Sequence, residues 1–213
     1  MESLANFGAG KTLSMTFLIF KNWLYRRKQV FTNYPLYGIP YYFIKGINQF
    51  DMIHDGFCAF DELWLVLDSR TSLTKKNRFV ANVLSKSRKR QLNISYTVQV
   101  LDSLDKRVRK VQDFTAIPIL NPNENLCKVN IFRTGYPKFQ GWMKCFYFKT
   151  PLIFNMYDTN YEIMMEEEVD EDPPIIFQET KDSKPQYLET WEEADKIGAD
   201  FWEEKQENLK KIF

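Results

Sequence analysis

Histidine is almost absent from this sequence, and cysteine is rare. His54 is the single histidine among 213 residues, which excludes a metal site built from several histidines of one chain. The three cysteines, Cys58, Cys127 and Cys145, are an odd number without close spacing. This pattern argues against a disulfide framework or a zinc site and favours a reducing, intracellular setting.

Long apolar segments are missing as well. The longest apolar stretch, 13–24, is interrupted by Lys21 and Asn22 and is too short to cross a bilayer. The first residues have neither the basic flank nor the small-residue cleavage site of a secretory signal. We therefore expect a protein without a membrane segment, located in the cytoplasm.

The composition is that of a globular protein, with 44% hydrophobic and 16% aromatic residues. We divide the chain into a body, 1–165, and an acidic linker with a C-terminal helix, 166–213. The second part holds 16 acidic and 6 basic residues, which leaves 12 acidic and 23 basic residues in the body. A body of net charge +11 beside a tail of −10 suggests a polyanion partner for which the tail competes, although both are also compatible with ordinary solvated surfaces.

Hydrophobic periodicity predicts an α/β protein. Helices are expected at 11–28, 73–90 and 103–110, and at 189–211 in the tail. The expected strands are 29–32, 56–60, 93–98, 114–120, 129–134 and 142–149. The last two strands alternate as an antiparallel pair. Strands separated by helices predict a mostly parallel sheet flanked by helices, with antiparallel edge strands.

The segment before the first helix has the pattern of a phosphate-binding loop. In such a loop, backbone N–H groups and the helix N-terminus bind phosphate, a lysine reaches the β- and γ-phosphates, and a Ser or Thr hydroxyl binds Mg²⁺. The residues predicted to bind the nucleotide are Gly8, Ala9, Gly10, Lys11, Thr12 and Leu13. The strict pattern has glycine at position 5, where this chain has Ala5. Only four residues precede Ala5, so the strand that normally leads into the loop is shortened or the natural start lies further upstream.

Two carboxylates follow the apolar segment 56–60. Asp61 is expected to hold Mg²⁺ and Glu62 to polarise the attacking water, unless this is an ordinary strand followed by an acidic helix start. Gln99 ends another predicted strand, where an amide is able to sense the γ-phosphate. Together with Lys11, these residues form the predicted catalytic set.

Two basic segments complete the candidate residues. Arg107 and Arg109 are candidates for arginine fingers that reach the nucleotide of a neighbouring subunit, but DNA contact and plain solvation stay open. The cluster Lys86, Arg88, Lys89 and Arg90 suits the DNA backbone, because phosphate neutralisation is independent of sequence. The alternative is that these charges complement the dipole of their own helix.

The ordered set of short motifs resembles the FtsK/HerA-type ATPases, in the viral and plasmid branch that includes genome-packaging ATPases and zonula occludens toxin-like proteins. The motifs lie at 8–12, 32–36, 60–62, 67–70, 87–90, 96–99, 105–109 and 157–159. The departures from the pattern are Ala5, the missing first strand and the acidic extension.

The resemblance implies an ATP- and Mg²⁺-dependent motor that draws double-stranded DNA through a homo-oligomeric ring, usually a hexamer. It also implies a capsid or portal-vertex protein as a possible partner, with the genome of a virus or plasmid as cargo. Two other readings are a nucleotide-binding assembly protein with weak or no hydrolysis, as in phage export or conjugation, and a small-molecule kinase. The pair of Glu62 with a strand-terminal Gln99 favours hydrolysis over a kinase.

Overall fold

The structure, a computed structural model, describes residues 8–46, 49–50, 53–63, 84, 86–100, 104, 106–134, 141–163, 175–178 and 186–188. Several predictions lie outside these residues. They are those for Ala5 and the strand before the loop, for most of the helix 73–90, for the motif at 67–70, for the linker at 166–174 and for the helix at 189–211.

The described elements alternate between helix and strand in the first half of the chain and are mostly strands in the second. In chain order they are α1 (Lys11–Arg26), β1 (Gln29–Thr32), β2 (Tyr41–Phe43), β3 (Gly56–Phe60), β4 (Asn93–Tyr96), α2 (Lys106–Val111), β5 (Phe114–Asn121), β6 (Leu126–Arg133), β7 (Gly141–Lys149), α3 (Pro151–Phe154), β8 (Ile175–Gln178) and β9 (Gln186–Leu188). The α/β class is confirmed.

The larger sheet has the strand order β4-β3-β1-β2-β8-β9. Its first four strands are parallel, and β8 and β9 extend it in antiparallel fashion at the β2 side. All five residues of β3 are buried, as the apolar run predicts for a parallel strand covered on both faces. The partition of the chain at residue 165 stays a prediction, although β8 and β9 belong to the part assigned to the extension.

Helix α1 lies between the two sheets. Four consecutive residues in its first turns are buried, so more than one side of the helix is covered, as its wide apolar stripe predicts. Towards the parallel sheet it packs with Val30, Phe57 and Ala59 in one hydrophobic cluster. Towards the second sheet, the rings of Phe17 and Phe148 stack with 4.2 Å between their centroids.

The second sheet is antiparallel, with the order β5-β6-β7. The predicted pairing of 129–134 with 142–149 is confirmed, but these strands are not the edge of the parallel sheet as expected. They join β5 in a sheet of their own, and the antiparallel edge of the parallel sheet is formed by β8 and β9. Alternation of apolar and polar residues predicts a strand but not its partner, because pairing depends on residues distant in sequence.

The other face of the parallel sheet is covered by α2. Val108 packs with Cys58 and Phe60, whereas Phe57 and Ala59 of the same strand face α1. Alternate side chains of β3 therefore separate two hydrophobic layers. No helix within the described residues is long and apolar enough to cross a membrane.

Candidate nucleotide-binding site

The loop before α1 has the backbone geometry that phosphate binding requires. Gly8 and Gly10 adopt left-handed conformations, with φ of 82° and 85°, which side chains rarely tolerate. Helix α1 begins at Lys11, and its first intrahelical bond runs from the Ser14 N–H to the Gly10 carbonyl at 2.9 Å. The N–H groups of the first turn lack such helical acceptors and point out of the helix N-terminus, so they can hold an anion.

Thr12 and Asp61 meet where α1 begins and β3 ends. The Thr12 hydroxyl donates a hydrogen bond of 2.8 Å to Oδ2 of Asp61. One helical turn and one strand end thus place a hydroxyl oxygen and a carboxylate side by side next to the glycine loop. Oxygen ligands of this kind are what Mg²⁺ takes in phosphate-binding sites, so these two residues fit the ion that the motif implies.

Asp61 is held by two residues that lie in the motifs at 32–36 and 96–99 but were not predicted as site residues. The Thr97 hydroxyl donates to Oδ1 of Asp61. The side chain of Asn33 bonds both main-chain groups of Asp61, accepting from its N–H at 2.8 Å and donating to its carbonyl at 2.9 Å. Asn33 directly follows β1 and Thr97 directly follows β4. Polar residues just after parallel strands share one sheet edge, and this is the signal that identifies them.

The electrostatics of Asp61 favour a bound cation. Burial raises the pKa of this carboxyl, and the nearby Glu62 raises it further, whereas the hydrogen bonds from Thr97 and Thr12 lower it. Burial dominates, so the ionised carboxylate is less stable here than in water. A cation between Thr12 and Asp61 would reverse that balance.

Glu62 and Gln99 are brought together, as their predicted positions at neighbouring strand ends require. Gln99 Nε2 donates to Glu62 Oε1 at 3.1 Å. The Glu62 N–H donates to the Thr97 hydroxyl at 2.9 Å, and the backbone of Glu62 is left-handed, with φ of 49°. A non-glycine residue in this conformation is uncommon and directs its side chain away from the path of the strand.

A buried hydroxyl pair supports the first turn of α1 from behind. The Thr16 hydroxyl donates to the Thr12 carbonyl at 2.9 Å and lies 3.0 Å from the Tyr34 hydroxyl. Since Thr16 has one proton, Tyr34 is the donor in the second contact. Burial raises the pKa of Tyr34 well above its ordinary value, and that of Tyr157 to about 12, with Asp61 contributing to both. Both phenols stay neutral and keep their protons near physiological pH.

The antiparallel sheet lies against the loop. A Cβ on Gly10 would be 3.6 Å from both Cys127 Sγ and Leu120 Cβ, and the Ser14 hydroxyl lies 3.5 Å from the same sulfur. The β5–β6 end of this sheet therefore packs against the loop on the side of α1.

The remaining loop residues occupy two environments. Lys11 is half-buried at the first position of α1. The Leu13 side chain is only 1% exposed and belongs to the core, so its backbone N–H is the group it can offer to a nucleotide.

The two arginines predicted as fingers lie in a different layer. Arg107 and Arg109 are half-buried on α2, which packs through Val108 on the face of the parallel sheet opposite to α1. The structure does not group them with the loop, and a role in a neighbouring subunit stays a prediction.

The basic cluster lies at the far end of the sheet from Asp61. It precedes β4, and the Arg90 carbonyl accepts from the Asp55 N–H just before β3. Arg88 forms an exposed salt bridge with Asp113 at 3.1 Å, and Arg90 donates to the Phe50 carbonyl at 3.0 Å. Lys86 and Lys89 are the exposed members without a salt bridge among the described residues.

A comparison with solved structures relates this architecture to one described domain. The chain has a fold similar to that of the N-terminal domain of zonular occludens toxin from Neisseria meningitidis. The similarity has a TM-score of 0.52 at 16% sequence identity, and it covers 72% of this chain and 95% of the toxin domain. At this identity the likeness to the toxin domain concerns the fold. No protein-family model and no curated protein matches the chain.

Together, the sheet, the glycine loop and the toxin-domain likeness show a P-loop NTPase-like fold. In such a fold, a nucleotide with Mg²⁺ binds at the loop before the first helix, which is where Thr12 and Asp61 meet.

Proposed function

We propose that this protein is an ATP-hydrolysing motor that translocates double-stranded DNA. The observation that carries the proposal is the direct hydrogen bond between Thr12 and Asp61, with the Glu62–Gln99 pair beside it. One site thus combines a phosphate loop, oxygen ligands for Mg²⁺ and a carboxylate positioned by an amide. These are the parts that phosphoanhydride hydrolysis needs.

Each residue has a role that follows from its position. The backbone N–H groups at 8–12 bind phosphate oxygens, and Lys11 neutralises their charge. Thr12 and Asp61 hold Mg²⁺, which supplies electrostatic stabilisation of the transferred phosphoryl group when it is bound. Glu62 orients the attacking water, and Gln99 holds the Glu62 carboxylate through the bond at 3.1 Å.

Charge supports DNA as the partner. Residues 1–165 carry a net charge of +11, and Lys86 and Lys89 are exposed. Contacts with phosphate alone suit a motor, because it must move past every sequence. The proposed homo-oligomeric ring is a hexamer, in which Arg107 or Arg109 of one subunit contacts the nucleotide bound to the next subunit. A capsid or portal-vertex protein receives the DNA.

ATP hydrolysis by the full chain, with and without duplex DNA, tests the proposal. We expect DNA-stimulated phosphate release, abolished by Lys11→Ala and by Glu62→Gln. Lys21→Ala, an exposed lysine of the same helix, and Glu162→Gln, an exposed glutamate, are the matched controls and should keep the activity. Equal loss in the controls, or phosphate release that ignores DNA, would contradict the motor.

A second candidate is a nucleotide-binding assembly protein with weak or no hydrolysis, of the kind that serves phage export or conjugation. The observation in its favour is the Gln99 bond itself, because it engages the Glu62 oxygen that a water molecule would need. Tight ATP binding that depends on Lys11, without turnover in the presence of DNA, would select this function.

A further inference from the structure

The face of the antiparallel sheet that points away from α1 has no role in the proposed chemistry. We call it the outer face and define it by strand register. Cys127 and Val129 of β6 are buried against α1, so the alternate residues of this strand point outward together with their partners on β5 and β7. The outer face comprises Leu126, Lys128, Asn130 and Phe132 of β6, with Thr115, Ile117, Ile119 and Asn121 of β5 and Trp142, Cys145, Tyr147 and Lys149 of β7.

Large apolar side chains on this face are open to solvent. Tyr147 is 54% exposed, Trp142 is 62% exposed and Ile119 is 53% exposed. Tyr147 and Ile119 flank Lys128 directly across the three strands. Clustered exposure of this kind marks an interaction surface rather than the scattered apolar residues of an ordinary surface.

A register shift adds Trp142 to this surface. Between Ile131 and Phe132 the pairing with β7 skips one residue, so that Ile131 pairs with Lys144 and Phe132 pairs with Trp142. Without the shift, strict alternation from Tyr147 would place Trp142 on the α1 side. Bulges re-aim side chains in this way, and here the bulge sets a second aromatic ring about 15 Å along the strand from Tyr147.

The charge of the sheet is of one sign. Strands β5, β6 and β7 contain no acidic residue. Of their four basic residues, strand register places Lys128 and Lys149 on the outer face and Arg133 and Lys144 on the α1 side. The Lys128 ammonium lies 5.7 Å from the centroid of the Tyr147 ring, so a cation accompanies the aromatic surface. A second copy of the same face would oppose basic residues with basic residues, which argues against a symmetric dimer here.

We propose that the outer face binds single-stranded DNA. Exposed rings stack on bases only when the bases are unpaired, and adjacent lysines neutralise the backbone phosphates. The surface between the rings is formed by Ile117, Ile119 and Cys145 around Asn130, so most of it offers no hydrogen-bond partner to the additional 2′-hydroxyl of RNA. This surface is distinct from the nucleotide site, and the inference does not depend on the proposed ATPase.

The test is fluorescence anisotropy of a labelled oligothymidylate of about 15 nucleotides with the full chain, since strand-binding sheets of this size cover about 4–16 nucleotides. We expect Tyr147→Ala and Trp142→Ala each to weaken binding by at least about five-fold, because base stacking on one ring contributes at least this much. Tyr147→Phe keeps the ring and should restore most of the affinity. Tyr25→Ala removes a 74% exposed aromatic ring from α1 and should bind as the unchanged protein does.

Competition experiments and one further variant distinguish single-stranded DNA from other ligands of the outer face. Duplex DNA and oligouridylate of equal length should compete less well than unlabelled oligothymidylate, and Lys11→Ala should bind the labelled strand normally, which separates this inference from the ATPase. The proposal is overturned by absence of binding, by alanine variants that bind like Tyr25→Ala, or by stronger competition from duplex or RNA. It is equally overturned if sedimentation shows that Tyr147→Ala dissociates an oligomer, since the face would then join copies of the chain.

Discussion

The side-chain amide of Gln99 donates a hydrogen bond to the Glu62 carboxylate across 3.1 Å, from the segment that follows β4 to the segment that follows the neighbouring β3. This bond holds the carboxylate of the proposed general base in one orientation. The two residues are 37 positions apart in the chain, so the contact is a product of the sheet.

We predict that Gln99→Ala lowers ATP turnover about ten-fold while the affinity for ATP stays within about two-fold, because a lost positioning hydrogen bond amounts to about 1.4 kcal/mol. Single-turnover hydrolysis and equilibrium nucleotide binding measure the two quantities. Asn93→Ala removes an exposed amide from the opposite end of β4 and is the control. Faster turnover in Gln99→Ala would mean that the amide restrains Glu62 instead of serving it.

Asp61→Asn should raise the melting temperature of the nucleotide-free protein at pH 7. Because burial raises the pKa of Asp61 in the folded protein, its ionisation costs the folded state free energy. The stabilising effect of the protonated form is complete below the ordinary carboxyl pKa and is lost as pH rises through the raised one. The difference in melting temperature between Asp61→Asn and the unchanged protein should therefore shrink on acidification. Each kcal/mol of difference in unfolding free energy corresponds to about 2–4 °C at this chain length.

The same variant should no longer respond to Mg²⁺. Mg²⁺ with a non-hydrolysable ATP analogue should raise the melting temperature of the unchanged protein and leave that of Asp61→Asn almost unaffected, since a ligand stabilises only the state that binds it. Calorimetric or circular-dichroism melts measure this difference. An equal stabilisation of both proteins would remove Asp61 from the proposed metal site.

Thr97→Val should lower the free energy of unfolding by about 1–3 kcal/mol, because it removes the hydroxyl that donates to Oδ1 of Asp61 and accepts from the Glu62 N–H. Urea denaturation measures this change. The exposed Thr159→Val is the matched control. If both variants unfold at the same urea concentration, the Thr97 hydroxyl does not support the site.

Gly56→Ala should destabilise the protein by about 1–3 kcal/mol. A Cβ at this position would lie 2.4 Å from a ring carbon of Phe31 and 2.9 Å from the Gln29 carbonyl oxygen, and a backbone oxygen cannot move aside easily. Gly141→Ala meets nothing within 4 Å and should be close to neutral. Thermal melts of the two variants provide the comparison, and equal stability would contradict the close approach of β1 and β3.

Sequence reasoning succeeded where the signal is local and failed where it is distant. The charged cluster before β4 illustrates the limit, because the sequence shows its four basic residues but not the partners of two of them. Arg88 pairs with Asp113 and Arg90 bonds the Phe50 carbonyl. These partners are 25 and 40 residues away, so no window around the cluster reveals them.

The sequence by itself determined the glycine loop, the helix after it and the carboxylate pair at the end of a buried strand. Glycine conformation, helical periodicity and the burial of a short apolar run depend on residues within a few positions of one another. Only the tertiary structure decided that Thr97 and Asn33 hold Asp61, that β5, β6 and β7 form a separate sheet, and that a bulge places Trp142 opposite Phe132. Strand pairing and buried hydrogen bonds depend on packing between segments that are distant in sequence, and the free energy of this packing is distributed over the whole core.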